Sequence, residues 1–502
     1  MRLVFSVAAS ILVIGICSLA ILYERFLPAW DESHFILGSR QYSSLAEQGG
    51  PQYYLARTQA ELAVALAFPE PKIIFADGET GPGVQFEFGP PMPATMALGA
   101  ANDLDLTRRF ARWAGQGFRL LHIDSVFTPQ ADLFIPDSPS VIGWRSFGSS
   151  PDRVAAHTKA YVEGLMSAGI YPIVKHFPGH GLTPYDTHDF VGFTSAPPAV
   201  VEDHLKPFRL LTKTPLTFGI MVGHLNLDQA AGFGAASDDI MGRLRQDFGF
   251  KGLVVSDSVN MAPVKKMIGS EALFTVASIQ HGADLILEPI SPKTDYNAFR
   301  TAKQAGSLSQ TILVKSHDRL AELQTSVAKL REIRPPATAL WIADGEKLGW
   351  ELLQKGCVAF GRQRSLEQTS SRVVRVGEAE LSNAALESLE PIFKRKLSDI
   401  PEFHPRSIST TTSLTILYWP GGTGRKMNEP WTSQQIAWLE TAREQNTPVT
   451  LVIFGNPLAG FQLRSFENVQ GLIAWGRSTL SCKAAAAWLS GNFVPTGNWP
   501  LE

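Results

Sequence analysis

The sequence predicts an α/β protein, a TIM-type β/α barrel followed by an α/β sandwich domain, and three observations predict it. First, short and nearly continuous apolar runs recur, each ending in a polar residue. Ile73–Ala76 precedes Asp77, Phe118–Ile123 precedes Asp124, and Tyr171–Val174 precedes Lys175 and His176. Phe218–Gly223 precedes His224, Gly252–Val255 precedes Ser256 and Asp257, and Ala283–Leu287 precedes Glu288. Such runs mark strands buried on both faces of a parallel sheet. Second, helical patterns fill the intervals, and that alternation over about 260 residues argues for a closed barrel rather than an open sheet. Third, composition changes after Pro335-Pro336, where a second strand–helix alternation begins.

The 502 residues exceed what one small core accommodates. A hydrophobic content of 44% with 18% charged residues is that of a folded chain, not a disordered one. A net charge of −2 without basic runs speaks against a nucleic-acid partner. The three cysteines have no metal-type spacing; at most one disulfide, between Cys357 and Cys482, fits the globular part, and two unpaired core residues is the favoured reading.

In chain order, Leu3–Tyr23 is an apolar run behind Arg2, long enough for a membrane-spanning helix that keeps the N-terminus in the cytoplasm. Ser18-Leu19-Ala20 also fits a signal-peptide cleavage site, and Cys17 a lipidation site, although Ile16 is bulky for the latter. Each alternative places the rest of the chain outside the cytoplasm, on the periplasmic or cell-wall side. The expected division is 1–27 as anchor or signal, 28–54 as linker, 55–336 as barrel and 337–502 as sandwich. No convincing strand precedes Ile73.

Within the barrel, a helix over Asp152–Ala168 stops at Gly169. Ser237, ahead of Asp238 and Asp239, caps one running to about Phe248, and Ser270-Glu271 opens another before Gly282. A long helix from Gln310 to about Arg334 is ended by the two prolines. In the second domain, strand-like runs at Trp350–Phe360, Ser413–Trp419 and Val449–Phe454 alternate with helices at Thr432–Gln445 and Leu480–Leu489. Gly421-Gly422-Thr423-Gly424 is a turn and fits no phosphate-binding fingerprint.

The densest chemistry lies in Ile173–Asp189, IVKHFPGHGLTPYDTHD. Three histidines, a lysine and two aspartates follow one strand end on a Pro/Gly-shaped loop. In a β/α barrel the residues just past each strand gather at one face, so Asp77, Lys175, His176, His224 and Asp257 are expected to converge there. Asp186 is two positions before His188, and in extended backbone both side chains point the same way. Such a carboxylate fixes the tautomer of an imidazole that titrates near neutral pH and serves as acid and then as base.

Lys175-His176-Phe177-Pro178-Gly179-His180-Gly181 followed by Asp186-Thr187-His188 resembles glycoside hydrolase family 3, in its β-N-acetylglucosaminidase branch. Asp77 with Glu79, Val84 and Gln85, Phe127-Thr128-Pro129 with Asp132, VIGWRSFG at Val141–Gly148, and GFKGLVVSDSVNM at Gly249–Met261 are similar to further segments of that branch. FGNPLAGF and LSGNFVPTGNWP are similar to the family's second domain. The resemblance implies a retaining exo-β-N-acetylglucosaminidase acting on a carbohydrate, a GlcNAc-containing glycan or muropeptide. It implies Asp257 as nucleophile, His188 with Asp186 as the acid/base pair, and Asp77, Arg145, Lys175 and His176 as sugar-binding residues. It implies no cofactor and no metal. His180 is expected to brace the turn rather than meet the sugar, and His224 to pack behind the site or touch it. Two departures stand out: Thr80 replaces a glycine, and Gly83 replaces the arginine usual before Val84, beside an apparent one-residue insertion. The rival readings are a family 3 β-glucosidase, which lacks the Asp-Thr-His triplet, a non-catalytic wall-binding protein on a degenerate barrel, and sugar transfer to phosphate.

Overall fold

A computed structural model describes residues 34–38, 53–67, 73–136, 141–183, 192–227, 232–261, 264, 271–361, 372–376, 389, 391–392, 401–404, 413–418, 431–455, 457–476 and 478–501. The apolar run 3–23, and with it the expected anchor, lies outside them; among the described residues no helix is long and apolar enough to cross a membrane.

Eight parallel strands form a nearly closed barrel: β1 (Phe35–Gly38), β2 (Tyr53–Leu55), β3 (Ile73–Ala76), β4 (Ser125–Val126), β5 (Tyr171–Phe177), β7 (Gly219–Val222), β9 (Val254–Ser256) and β10 (Ile286–Leu287). β10 pairs with β1, and the Ser256 N–H donates to the Leu285 carbonyl at 2.9 Å, bringing the two ends of the sheet together. A separate parallel pair, β6 (Gly192–Thr194) and β8 (Leu225–Leu227), lies after β5 and β7 in the chain.

Two expectations about the barrel are corrected. The stretch read as a linker contains β1, and β2 begins within it. Both are only three or four residues long, because backbone pairing to neighbours on each side stabilises segments too short to show a period. The run Phe118–Ile123 is not a strand. It is the end of helix α1 (Leu104–Leu120) and a turn, and β4 starts only at Ser125. Asp124 therefore lies at the opposite end of the barrel from the site.

Alternation along the strands sorts their side chains. Ile36, Tyr53, Leu55, Ile73, Phe75, Phe127, Tyr171, Ile173, Met221, Leu253, Val255, Leu285 and Leu287 form one cluster inside the ring. Helix α2 (Gln310–Arg331) adds Leu320, Leu323 and Val327 to it and closes the bottom. Arg331 grips Asp124 through both carboxylate oxygens at 2.7 and 2.8 Å. Arg319 holds the fully buried Asp284 the same way, and Arg245 adds a second guanidinium at 2.9 Å.

The second domain is a five-stranded sheet in the order β11 (Val358–Gly361), β15 (Val469–Ile473), β14 (Val449–Ile453), β13 (Leu414–Tyr418), β12 (Arg372–Val376), parallel except for β11. Trp350, expected in a strand, lies in helix α3 (Thr338–Gly356), and the strand begins only at Val358. One apolar cluster runs from the barrel helix α1 through α3 into this sheet. Its centre is a stacked pair, Trp113 on Trp341 at 5.0 Å, in which each indole N–H donates to the other residue's carbonyl at 3.0 and 2.8 Å. Cys357 and Cys482 are free and buried in the same cluster.

Asp284→Ala leaves Arg245 and Arg319 without their shared counter-ion. It is expected to cost about 3–5 kcal/mol in urea unfolding, whereas Asp238→Ala, on an exposed side chain, changes stability by less than about 0.5 kcal/mol.

Candidate active site

The inward alternation continues past the strand ends, and there it changes from apolar to charged. Tyr53 and Leu55 lead to Arg57, Ile73 and Phe75 to Asp77, Tyr171 and Ile173 to Lys175, and Leu253 and Val255 to Asp257. Met221 leads instead to Gly223, where a Cβ would lie 2.8 Å from His180 Nε2. The side-chain space given up at that position is taken by the His180 ring.

Asp132 organises the loop after β5. It is wholly buried, and it accepts from the His176 backbone N–H at 3.2 Å, His176 Nδ1 at 2.8 Å and the His180 N–H at 2.7 Å. Burial pushes its carboxyl up, but the charge and hydrogen bonding of His176 outweigh this and hold it below the usual carboxylate range. Burial lowers the His176 imidazole to about 4 against the pull of Asp132, so at neutral pH the ring is neutral, with Nδ1–H directed at the carboxylate. The register of β5 against β7 shifts between Val174 and Phe177, a bulge that re-aims these side chains at the barrel mouth.

Asp257 accepts from the Ser258 N–H at 2.7 Å and lies 3.7 Å from His180 Nε2. Burial favours its neutral form, but the facing His180 ring and the neighbouring histidines prevail, and the carboxyl sits well below the usual range. It is ionised at neutral pH. His180, expected to brace the turn, does so through its backbone while its ring faces Asp257. His224 packs behind the site, with Nε2 on the Ser258 carbonyl at 3.1 Å and its ring against Phe233 and Phe274.

Opposite them is a charge network. Lys175 Nζ lies 3.0 Å from Glu79 and 3.7 Å from Asp77. Arg145 binds Glu79 through two nitrogens, at 2.8 and 2.5 Å. Arg57 bridges Asp77 at 2.9 Å and Glu288 at 2.6 Å, and Glu288 accepts from Ser258 Oγ at 2.8 Å. Burial disfavours the Glu79 anion, but Arg145 and Lys175 hold its pKa far below the usual value. Of the five residues expected to converge, Asp77, Lys175, His176 and Asp257 meet at the barrel mouth and His224 lies behind them, while Arg145 joins through Glu79. Asp186 and His188 lie outside the described residues.

Arg57, Glu79, Asp132 and Glu288 received no role from sequence reasoning. Arg57 and Glu288 carried a usable signal, since each closely follows a barrel strand; β2 was too short to reveal it for Arg57. The departure at Gly83 has a steric basis, because a Cβ there would lie 2.5 Å from the Pro90 carbonyl oxygen. Glu79 and Arg145 also line a cavity of about 420 Å³ whose other wall includes Trp475, Gly476, Ser478 and Thr479 of the second domain.

Residues 46–323 match the glycosyl hydrolase family 3 N-terminal domain. The chain is similar to beta-hexosaminidase LpqI of Mycobacterium bovis, 35% identical over 246 residues, which are 46% of this chain and 62% of that protein. A beta-hexosaminidase of Xylella fastidiosa is 32% identical over 47% of this chain and 72% of its own length. A beta-N-acetylglucosaminidase/beta-glucosidase of Cellulomonas fimi is 29% identical over 86% of this chain and 84% of its own. Among solved structures, a family 3 beta-N-acetylglucosaminidase from Paenibacillus aligns with a TM-score of 0.76 at 22% identity, covering 95% of this chain and 98% of that one, which is a likeness of fold.

Asp132→Asn places an amide N–H₂ where His176 now donates, and is expected to move the ring proton of His176 from Nδ1 to Nε2. Ring ¹⁵N shifts of labelled protein read the change directly. An unaltered tautomer would sink the role given to Asp132.

Proposed function

This chain belongs to glycosyl hydrolase family 3, and we propose that it is a retaining exo-β-N-acetylglucosaminidase acting on terminal non-reducing β-linked GlcNAc. The observation that carries the reading is an ionised carboxylate, Asp257, at the end of a barrel strand and facing a cluster of fixed hydrogen-bonding charges. The names of the Mycobacterium and Xylella relatives support the same substrate class.

In this reading Lys175, His176, Asp77 and Arg145 bind the hydroxyls of the sugar. A neutral His176, its Nδ1–H held by Asp132, presents Nε2 as an acceptor. Arg57 positions Asp77 on one side and, through Glu288 and Ser258, the loop of the nucleophile on the other. An Asp257 oxygen attacks the anomeric carbon as the bond to the leaving oxygen breaks, and His188, held by Asp186, gives that oxygen its proton. His188 then takes a proton from water, whose oxygen displaces Asp257 and releases the sugar. The developing oxocarbenium charge lies against an already ionised carboxylate, so little reorganisation accompanies the step.

The apolar run Leu3–Tyr23 supports export with membrane attachment, and that location makes peptidoglycan fragments the natural substrate class. Fractionation of cells expressing the whole chain tests this part; recovery in the cytosol would overturn it.

With chromogenic β-GlcNAc and β-glucose substrates, a strong preference for GlcNAc is expected. Asp257→Ala reduces turnover to background. His188→Ala slows substrates with poor leaving groups by about 10²–10⁴-fold and activated aryl glycosides far less. No turnover of either sugar, with muropeptides still bound, would replace the enzyme by a wall-binding protein.

Asp257 must be ionised, and its pKa lies well below the usual range, so the first loss on the acid side is protonation of His176 at about 4. His188 must be protonated to act as the acid, so kcat/KM falls as pH rises through a histidine pKa of about 6.5. That alkaline limb is expected to vanish in His188→Ala assayed on an activated aryl glycoside; its persistence would assign the acid to another group.

A further inference from the structure

The barrel mouth holds two carboxylates that take no part in its ion-pair network of lysine and arginine. Arg57, Lys175 and Arg145 face Asp77, Glu79 and Glu288, three cations against three anions in one network. Asp132 and Asp257 stand outside that network, the first wholly buried and the second nearly so. The imidazole rings of His176 and His180 lie against these two carboxylates.

One ligand atom each from His176, His180 and Asp257 lies within 4.8 Å of the others, and His180 Nε2 is 3.7 Å from Asp257 Oδ2. Ligands around a tetrahedral Zn²⁺, at about 2.1 Å from the ion, stand about 3.4 Å apart, so side-chain shifts of about an ångström complete the set. The donor chemistry, two imidazoles and one carboxylate, selects a borderline-soft transition ion over Mg²⁺ or Ca²⁺. Asp132 already holds His176 Nδ1–H at 2.8 Å, the arrangement that fixes the tautomer of a metal-ligating histidine and leaves Nε2 to bind.

We propose that His176, His180 and Asp257 form an inhibitory site for a divalent transition-metal ion of the Zn²⁺ class. The ion takes a lone pair of Asp257 and occupies His176, so metal and sugar exclude one another. Metal binding rests on geometry and donor chemistry alone; its inhibitory consequence rests on the reading of Asp257 as nucleophile.

The test is equilibrium dialysis of the intact protein against ZnCl₂, together with the visible d–d absorption of Co²⁺ as a substitute ion. One Zn²⁺ per chain is expected. The affinity should fall at least about tenfold in His180→Gln and in Asp257→Asn and be unchanged in His281→Gln, an exposed histidine paired with Asp238. On the unaltered protein, free N-acetylglucosamine should displace the Co²⁺ spectrum, which guards against variants that fail to fold. Binding unaffected by either site substitution, or no stoichiometric binding, overturns the proposal while leaving hydrolysis to be judged separately. Zn²⁺ binding that tracks these residues in a protein inert toward glycosides upholds the metal site and sinks the glycosidase reading instead.

Discussion

The parallel ring of eight strands constrains everything at this site. Each strand sends every second side chain to the barrel axis, and the interior is filled by aromatic and branched side chains from Ile36 to Leu287. The next inward position on several strands falls beyond the hydrogen-bonded ring, where the axis opens to solvent. Arg57, Asp77, Lys175 and Asp257 occupy those positions, so residues up to 200 apart in sequence become neighbours through periodicity alone. Gly223 follows the same rule in reverse, since leaving out a side chain there makes room for the ring of His180.

The ring holds its shape because its bottom is tied. Helix α2 crosses beneath the strands, inserts Leu320, Leu323 and Val327 into the interior, and fastens Asp124 and Asp284 with paired guanidinium contacts. Buried charges of this kind are costly unless fully paired, and here each carboxylate has two arginines. At the other end the charges are arranged for ligands: Asp132 orients two histidines, and Arg57 links the Asp77 side of the mouth to the Asp257 side. The Trp113–Trp341 pair and the apolar cluster around it keep the second domain against the barrel flank, where Trp475 and its neighbours face Glu79 and Arg145 across a shared cavity.

Much of the fold was legible, and the errors have two causes. Runs such as Tyr171–Val174 and Gly252–Val255 gave strands where expected, as did the helix over Pro151–Ser167 ending before Gly169. Phe118–Ile123 misled because a buried helix end and a buried strand are equally apolar over six residues. Phe35–Gly38 and Tyr53–Leu55 escaped notice because their stability comes from neighbours on both sides and not from their own pattern.

The sequence by itself determined which residue types were available for chemistry and on which strand ends they stood. Local order, the alternation of apolar and polar positions and the motif around Lys175–Gly181 are short-range properties that a linear string records. Which charge pairs with which was decided only by the tertiary structure: Asp77 with Arg57, Arg145 with Glu79, and Glu288 with Arg57. Pairing depends on distances set by ring closure, strand register and excluded volume, and these couple residues whose separation along the chain carries no trace of the contact.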